Sequence, residues 1–211
     1  MKPYNPRTGT PLKKPVIERI EGIHPYKMIN YLIISVSCLI YASLCFMFIR
    51  HIAVDLQGIF SFSLPKFFTV STLLLVSSIY FTSRTIRAYE QDEISMLRQY
   101  LSFTLIIGLL FFISQFIAWM ELITNSLTLE KNNIFTYLFV FSAIHLVYVL
   151  CGLIMAGILF YKYMLVENDP VKSLIIATNP IEKIKLEVYR TFWHFNVISW
   201  TMLFLMLLFI S

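Results

Sequence analysis

The chain has 211 residues, of which 58% are hydrophobic and 14% charged, with a mean hydropathy of +0.73, against about 25% charged in an ordinary globular chain. So few charges cannot cover a water-soluble surface of this size, and 19 Phe, 12 Tyr and 3 Trp exceed what one small core needs. The composition excludes a soluble enzyme, a disordered chain and a nucleic-acid module; the net charge of +5 fits basic loops flanking membrane spans.

The first 27 residues are polar and rich in proline (Pro3, Pro6, Pro11, Pro15, Pro25). They lack the apolar core and cleavage site of a signal peptide, so the first span is expected to act as an uncleaved anchor. The reading is therefore a cytoplasmic tail over 1–27 and a five-helix transmembrane domain over 28–211. Spanning helices need about 20 mostly apolar residues. Five runs qualify: Tyr31–Ile49, Phe67–Ser83, Leu101–Met120, Ile134–Tyr161 and Phe192–Ile210. Every Asp, Glu, Lys and Arg falls outside these runs or at their rims, as expected when a charge at the bilayer centre costs at least ~2.5–3.5 kcal/mol.

Orientation follows from the basic residues. Six lie in the tail (Lys2, Arg7, Lys13, Lys14, Arg19, Lys27), three after the second span (Arg84, Arg87, Arg98) and five after the fourth (Lys162, Lys172, Lys183, Lys185, Arg190). Those fourteen share one side, against Arg50, Lys66 and Lys131 on the other. The asymmetry predicts an all-α, polytopic protein with its N-terminus cytoplasmic and its C-terminus periplasmic. The loop Lys162–Thr191 carries Ile181, Ile184, Leu186 and Val188 among charges. It reads equally as a short interfacial helix or as an ordinary connection.

Within the spans, polar and small residues align on single faces. Ser71, Ser78 and Thr82 do so on the second, with Ser77 beside them; Thr104, Gly108 and Gln115 on the third; His145, Tyr148, Gly152 and Ala156 on the fourth. Small residues and hydroxyls are the usual contacts between membrane helices, so these stripes read as packing faces, with a substrate or ion path as the alternative. His145 lies 11 residues into its span, near mid-membrane at ~1.5 Å per residue. It reads as a packed, hydrogen-bonded ring, with proton handling and ligation as alternatives. His194, between Trp193 and Phe195 at the start of the fifth span, belongs to an interfacial aromatic belt. At different depths the two histidines do not suit a shared haem or metal, so no catalytic residue, cofactor site or metal site is expected in this chain. Cys38, Cys45 and Cys151 sit in apolar runs and read as small buried hydrophobes. Transporters place an ionisable group or a broken helix near the midplane; the absence of both argues for a bundle that packs beside a catalytic partner.

Several motifs in this helix order resemble subunit III of the haem–copper oxidases, in its short five-helix bacterial form. The first span opens with His24-Pro25-Tyr26-Lys27, similar to His-Pro-x-Lys. The second carries Ser71-Thr72-Leu73-Leu74-Leu75-Val76-Ser77-Ser78, and the third Thr104, Gly108, Phe112 and Gln115, then Trp119 and Glu121. The fourth matches His-x-x-His-Val-x-x-Gly at His145, Val149 and Gly152. The fifth reads Trp193-His194-Phe195 and then Trp200, with Glu187 six residues before Trp193. Three departures stand out. Tyr148 replaces the second histidine of the fourth motif, Asn196 and Val197 follow Trp-His-Phe, and Ser37 stands where many relatives carry a buried glutamate.

The resemblance implies a non-catalytic subunit of a cytochrome c oxidase in the bacterial inner membrane. It would pack on subunit I, near subunit II and other oxidase subunits, and support proton uptake and stability in aerobic respiration. His145, Tyr148, Gln115, Glu187 and His194 are its candidate packing or proton-support residues. Haem and copper would belong to the partner subunits, phospholipid is a candidate ligand, and a respiratory supercomplex is a further candidate assembly. A quinol oxidase subunit III or a nitric-oxide-reductase accessory protein of the same fold is the alternative, and a small transporter or membrane scaffold the reading from a different class.

Overall fold

The computed structural model describes residues 24–54, 66–128, 133–166 and 169–210; the expectations for tail residues 1–23 lie outside these. The described residues form helices α1 (Pro25–Val54), α2 (Lys66–Glu90), α3 (Ile94–Thr128), α4 (Asn133–Val166), α5 (Pro170–Thr178) and α6 (Pro180–Ile210). Among them, five helices (all but α5) are long and apolar enough to cross a membrane. The protein is a multi-pass, all-α membrane protein. Each of the five outruns its sequence-derived span; α3, at 35 residues, is about 52 Å long at 1.5 Å per residue, against a hydrocarbon core of about 30 Å.

Local chemistry sets the helix ends. Helix α1 begins at Pro25, inside the segment assigned to the tail. The His24 ring nitrogen accepts a 3.4 Å hydrogen bond from the Tyr26 amide, and proline at the first helical position forfeits only an amide that has no partner there. Between α2 and α3 the chain reverses in three residues. Asp92 takes φ 57°, the left-handed conformation that aspartate tolerates better than most side chains. The Glu93 amide then bonds the Ala88 carbonyl at 2.9 Å and the Asp92 amide that of Tyr89 at 3.2 Å, so the last carbonyls of α2 are satisfied.

The loop Lys162–Thr191 resolves differently from either expectation. A nine-residue helix, α5, does form, capped by Asp169, whose carboxylate accepts from the Val171 and Lys172 amides. However, Ile181, Ile184, Leu186 and Val188 lie on α6, which starts 12 residues before the expected fifth span. Pro180 follows the cap residue Asn179, whose side-chain oxygen accepts from the Ile181 amide at 3.0 Å. Pro-Ile-Glu is thus a helix start rather than a loop, because proline is preorganised for the first turn.

Helices α2 and α3 form a long antiparallel pair, α4 packs on α3, α6 lies between α2 and α4, and α1 rests mainly on α6. Two apolar clusters fill the interior. One includes Leu97, Leu101, Tyr189, Trp193 and Trp200; the other gathers Tyr41, Phe48, Phe141, Leu203 and Leu207. Leu32, Leu39, Leu73, Met120, Met202 and Phe209 point outward, which lipid tolerates and water would not. Cys38 and Cys151 are likewise exposed and Cys45 half-buried, correcting the expectation of buried thiols. An apolar run cannot tell the lipid face from the core face, since both are apolar.

Candidate functional site

The most constrained part of the molecule is the seam where α6 meets α2, α3 and α4. Trp193 is fully buried there. A Cβ added at Gly152 would stand 2.8 and 2.9 Å from Trp193 ring carbons, and one added at Gly108 would stand 2.9 Å from another. The indole therefore lies in a slot between α3 and α4 that two glycines open. Its Nε1 donates to Ser78 Oγ on α2 at 2.8 Å, so one side chain touches three helices.

The same device recurs at the other two tryptophans. Trp200 Nε1 donates to Thr72 Oγ1 at 2.9 Å, and Trp119 Nε1 to Ser142 Oγ at 2.7 Å. Each hydroxyl in turn donates to a carbonyl of its own helix: Ser78 to Leu75, Thr72 to Phe68 and Ser142 to Leu138. A hydroxyl can spend its one proton on its helix and still accept the indole proton. All three indoles are thereby satisfied in a medium where an unpaired donor costs several kcal/mol.

His145 is fully buried on α4. Its Nδ1 lies 3.3 Å from the Tyr41 hydroxyl on α1. Its ring sits 4.8 Å from that of Trp200 and edge-on to Phe111 at 5.7 Å. One ring thus joins α1, α3, α4 and α6. One turn on, the Tyr148 hydroxyl and Ser37 Oγ are hydrogen-bonded at 2.8 Å, and Asn196 Nδ2 donates to the Tyr148 carbonyl at 3.2 Å. The residues read as a packing stripe do face neighbouring helices.

Gln115 is buried between α3 and α2, donating to Ser71 Oγ at 2.8 Å. Thr82 and Thr104 meet across the same pair at 3.4 Å. Ser77, beside this face in the sequence, points outward, and its hydroxyl donates to the Leu74 carbonyl of its own helix; 3.6 residues per turn carries it off the seam that Ser78 occupies. His194 is half-buried, with Nε2 3.2 Å from Ser83 Oγ on α2. It shares no partner with His145. Glu187 forms an ion pair with Lys27, tying α6 to the start of α1, where Asn30 also donates to the Val188 carbonyl at 3.3 Å. The five residues singled out are therefore brought together only in part: His145 and Tyr148 share one seam, Gln115 lies on a second, and Glu187 and His194 sit toward the polar end of α6.

Sequence reasoning missed Tyr41 and Glu182. Glu182 is almost fully buried, with Lys162 Nζ 2.5 Å from one carboxylate oxygen and Lys185 Nζ 2.9 Å from the other. Nearby, the Tyr89 hydroxyl bonds the Ile176 and Asn179 carbonyls at 2.9 and 2.8 Å, so the connection between α4 and α6 is pinned to the end of α2. The Glu182–Lys185 spacing at i, i+3 was a signal for a local pair; the contact with Lys162 depends on the turn through α5.

No family model matches the chain. It is 27% identical over 200 residues, 95% of this chain and 90% of the relative, to the protein named cytochrome bo(3) ubiquinol oxidase subunit 3 of Buchnera aphidicola. It is also 24% identical over 142 residues, 67% of this chain and 64% of the relative, to cytochrome c oxidase subunit 3 of Corynebacterium diphtheriae. Both relatives are named as subunit 3 of an oxidase, and the similarity to the first covers nearly the whole chain. Within that frame, the Ser37 and Tyr148 departures are neighbours in space. They meet at 2.8 Å across 111 residues of sequence, so a neutral hydroxyl pair joins α1 to α4 there.

Proposed function

We propose that the chain is the non-catalytic subunit III of a haem–copper terminal oxidase in a bacterial inner membrane. It packs on the large haem-bearing subunit, supports its stability and proton uptake, and leaves haem and copper to its partners. The observation that carries this reading is similarity over nearly the whole chain to one oxidase subunit 3. Its internal hydrogen bonds are spent on holding helices together, as at the three tryptophans. The longer match to a ubiquinol oxidase subunit favours a quinol-oxidising complex over the cytochrome c type, although donor choice resides in other chains.

The distribution of basic residues supports a cytoplasmic tail and α5. A reporter at Ser211 that works only in the periplasm should then be active, and a cytoplasmic-only reporter silent. The function is tested by affinity purification of the tagged chain in mild detergent. A co-purifying large membrane subunit with a reduced-minus-oxidised haem spectrum is expected, and turnover with ubiquinol against reduced cytochrome c distinguishes the donors. A haem-free eluate lacking any large membrane partner would overturn the proposal.

A further inference from the structure

Ser37 Oγ on α1 and the Tyr148 hydroxyl on α4 meet at 2.8 Å. Beyond that bond the two helices border a groove of about 530 Å³, with Val188 and Phe192 of α6 in its wall. Tyr148 stands at the middle of the fourth apolar run, and Leu159, the last α4 residue in the lining, is eleven residues further toward α5. Those residues amount to about 16 Å of helix, half of a hydrocarbon core of about 30 Å. A partner helix crosses the whole core and outruns a groove closed at mid-depth. A single flexible chain entering from one leaflet fits it.

The polar groups of the groove select the head of that chain. Lys185 is the only charged residue among the described residues that line it, and Glu182 holds its Nζ at 2.9 Å. No cation is left over for a phosphate or carboxylate, and an anion taken out of water without one is costly, so the head is neutral. Asn30 lines the same groove and is only 5% exposed. One of its amide protons goes to the Val188 carbonyl at 3.3 Å. A carboxamide has a second proton and an acceptor oxygen, and no other described residue engages either. Tyr26 and Phe192 add aromatic faces to the lining, on which a flat ring packs well. The volume falls within the ~300–1,000 Å³ of small-molecule sites.

We propose that the α1–α4 groove binds an isoprenoid quinol or its quinone, with the ring at Asn30 and the tail directed toward Tyr148. The Asn30 oxygen accepts a quinol hydroxyl proton, and its spare amide proton is donated to a quinone carbonyl. The groove holds the molecule, and its oxidation falls to the haem-bearing partner of the proposed complex. The inference rests on the quinol-oxidising reading and deepens it, yet each has its own readout: binding to this chain for one, turnover of the complex for the other.

The chain carries its own reporter, because Cys151 lines the groove while Cys38 is exposed outside it. The full chain, purified in mild detergent, is alkylated with N-ethylmaleimide and the labelled cysteines are mapped by peptide mass. Ubiquinone-2 at about four times its dissociation constant should slow labelling of Cys151 about fivefold and leave Cys38 unchanged. Phosphatidylglycerol and dioleoylglycerol, which have tails and no ring, should protect far less. Asn30→Leu should raise the ubiquinone-2 concentration for half protection about fivefold, as expected for one lost hydrogen bond. Ile158→Trp, which fills the groove from its exposed rim, should abolish protection. The comparison of ligands on the unmodified chain decides the matter if the variants fail to fold. Equal protection of Cys38 and Cys151, equal protection by phosphatidylglycerol or dioleoylglycerol, or unchanged protection in either folded variant would each overturn the proposal. Protection of Cys151 in a complex that oxidises only cytochrome c would sustain the groove and sink the donor reading. No protection in a complex that oxidises ubiquinol would do the reverse.

Discussion

Replacing Gly152 by alanine adds one methyl group where α4 meets the Trp193 indole. The new Cβ would stand 2.8 and 2.9 Å from two carbons of Trp193, where ordinary carbon contacts are about 3.5–4.0 Å. The indole has nowhere to withdraw, because its far edge is 2.9 Å from the Cβ position of Gly108 and its nitrogen is bonded to Ser78 at 2.8 Å. Overpacking of this kind costs ~1–3 kcal/mol, and losing the indole hydrogen bond about 1 more. Better helix propensity returns about 1, leaving Gly152→Ala destabilised by ~1–3 kcal/mol. Gly157 on the same helix is the internal control, since a Cβ there meets nothing within 4 Å. Gly157→Ala should be neutral or stabilised by up to ~1 kcal/mol. A gap of ~2 kcal/mol is about thirtyfold in the folded-to-unfolded ratio, measurable by detergent-titrated unfolding of the purified chain. Trimming the ring with Trp193→Leu should make the Gly152→Ala penalty shrink, a non-additivity expected only of residues in contact. Equal stability of the Gly152 and Gly157 variants, or strict additivity with Trp193→Leu, would refute the slot.

For the proposed oxidase complex, His145→Gln keeps a donor and an acceptor near Tyr41 and should leave assembly and turnover near normal. His145→Leu should loosen the chain's association in detergent while the surviving complex still reduces oxygen; slowed turnover at intact stoichiometry in His145→Gln would indicate a proton-relay role. A double-mutant cycle on Ser37→Ala and Tyr148→Phe should give a coupling of ~0.6–1.7 kcal/mol, the usual range for interhelical hydrogen bonds in membranes; no coupling in unfolding titrations would remove the α1–α4 bond. The Asp169 carboxyl is held below its usual range, first by the hydrogen bond from the Lys172 side chain and then by the Lys172 and Val171 amides. Its folded value lies below its unfolded one, so its contribution to α5 is present above the unfolded value and lost as pH falls through the folded one. Hydrogen exchange of α5 amides, corrected for intrinsic rates, should rise over that acidic window, and Asp169→Asn should flatten the dependence.

The number of spans was legible because lipid imposes a rule that each segment obeys by itself: about twenty apolar residues, with charges at the rims. Helical periodicity also aligned Ser71 with Ser78 on α2 and His145 with Gly152 on α4, and these four residues and Gln115 are buried. Periodicity supplies a face and never a partner, however. That Trp193 would be clasped by glycines of two other helices, that Tyr41 would meet His145, and that Ser37 would find Tyr148 depend on how α1 and α6 lie against the rest. The cysteines were misread because next to lipid an apolar residue can face either way at little cost, so its direction is settled by its neighbours. The start of α6 and the burial of Glu182 were decided the same way. A carboxylate enters the interior only where folding brings a second cation to it, and Lys162 reaches Glu182 only after the chain has turned back through α5.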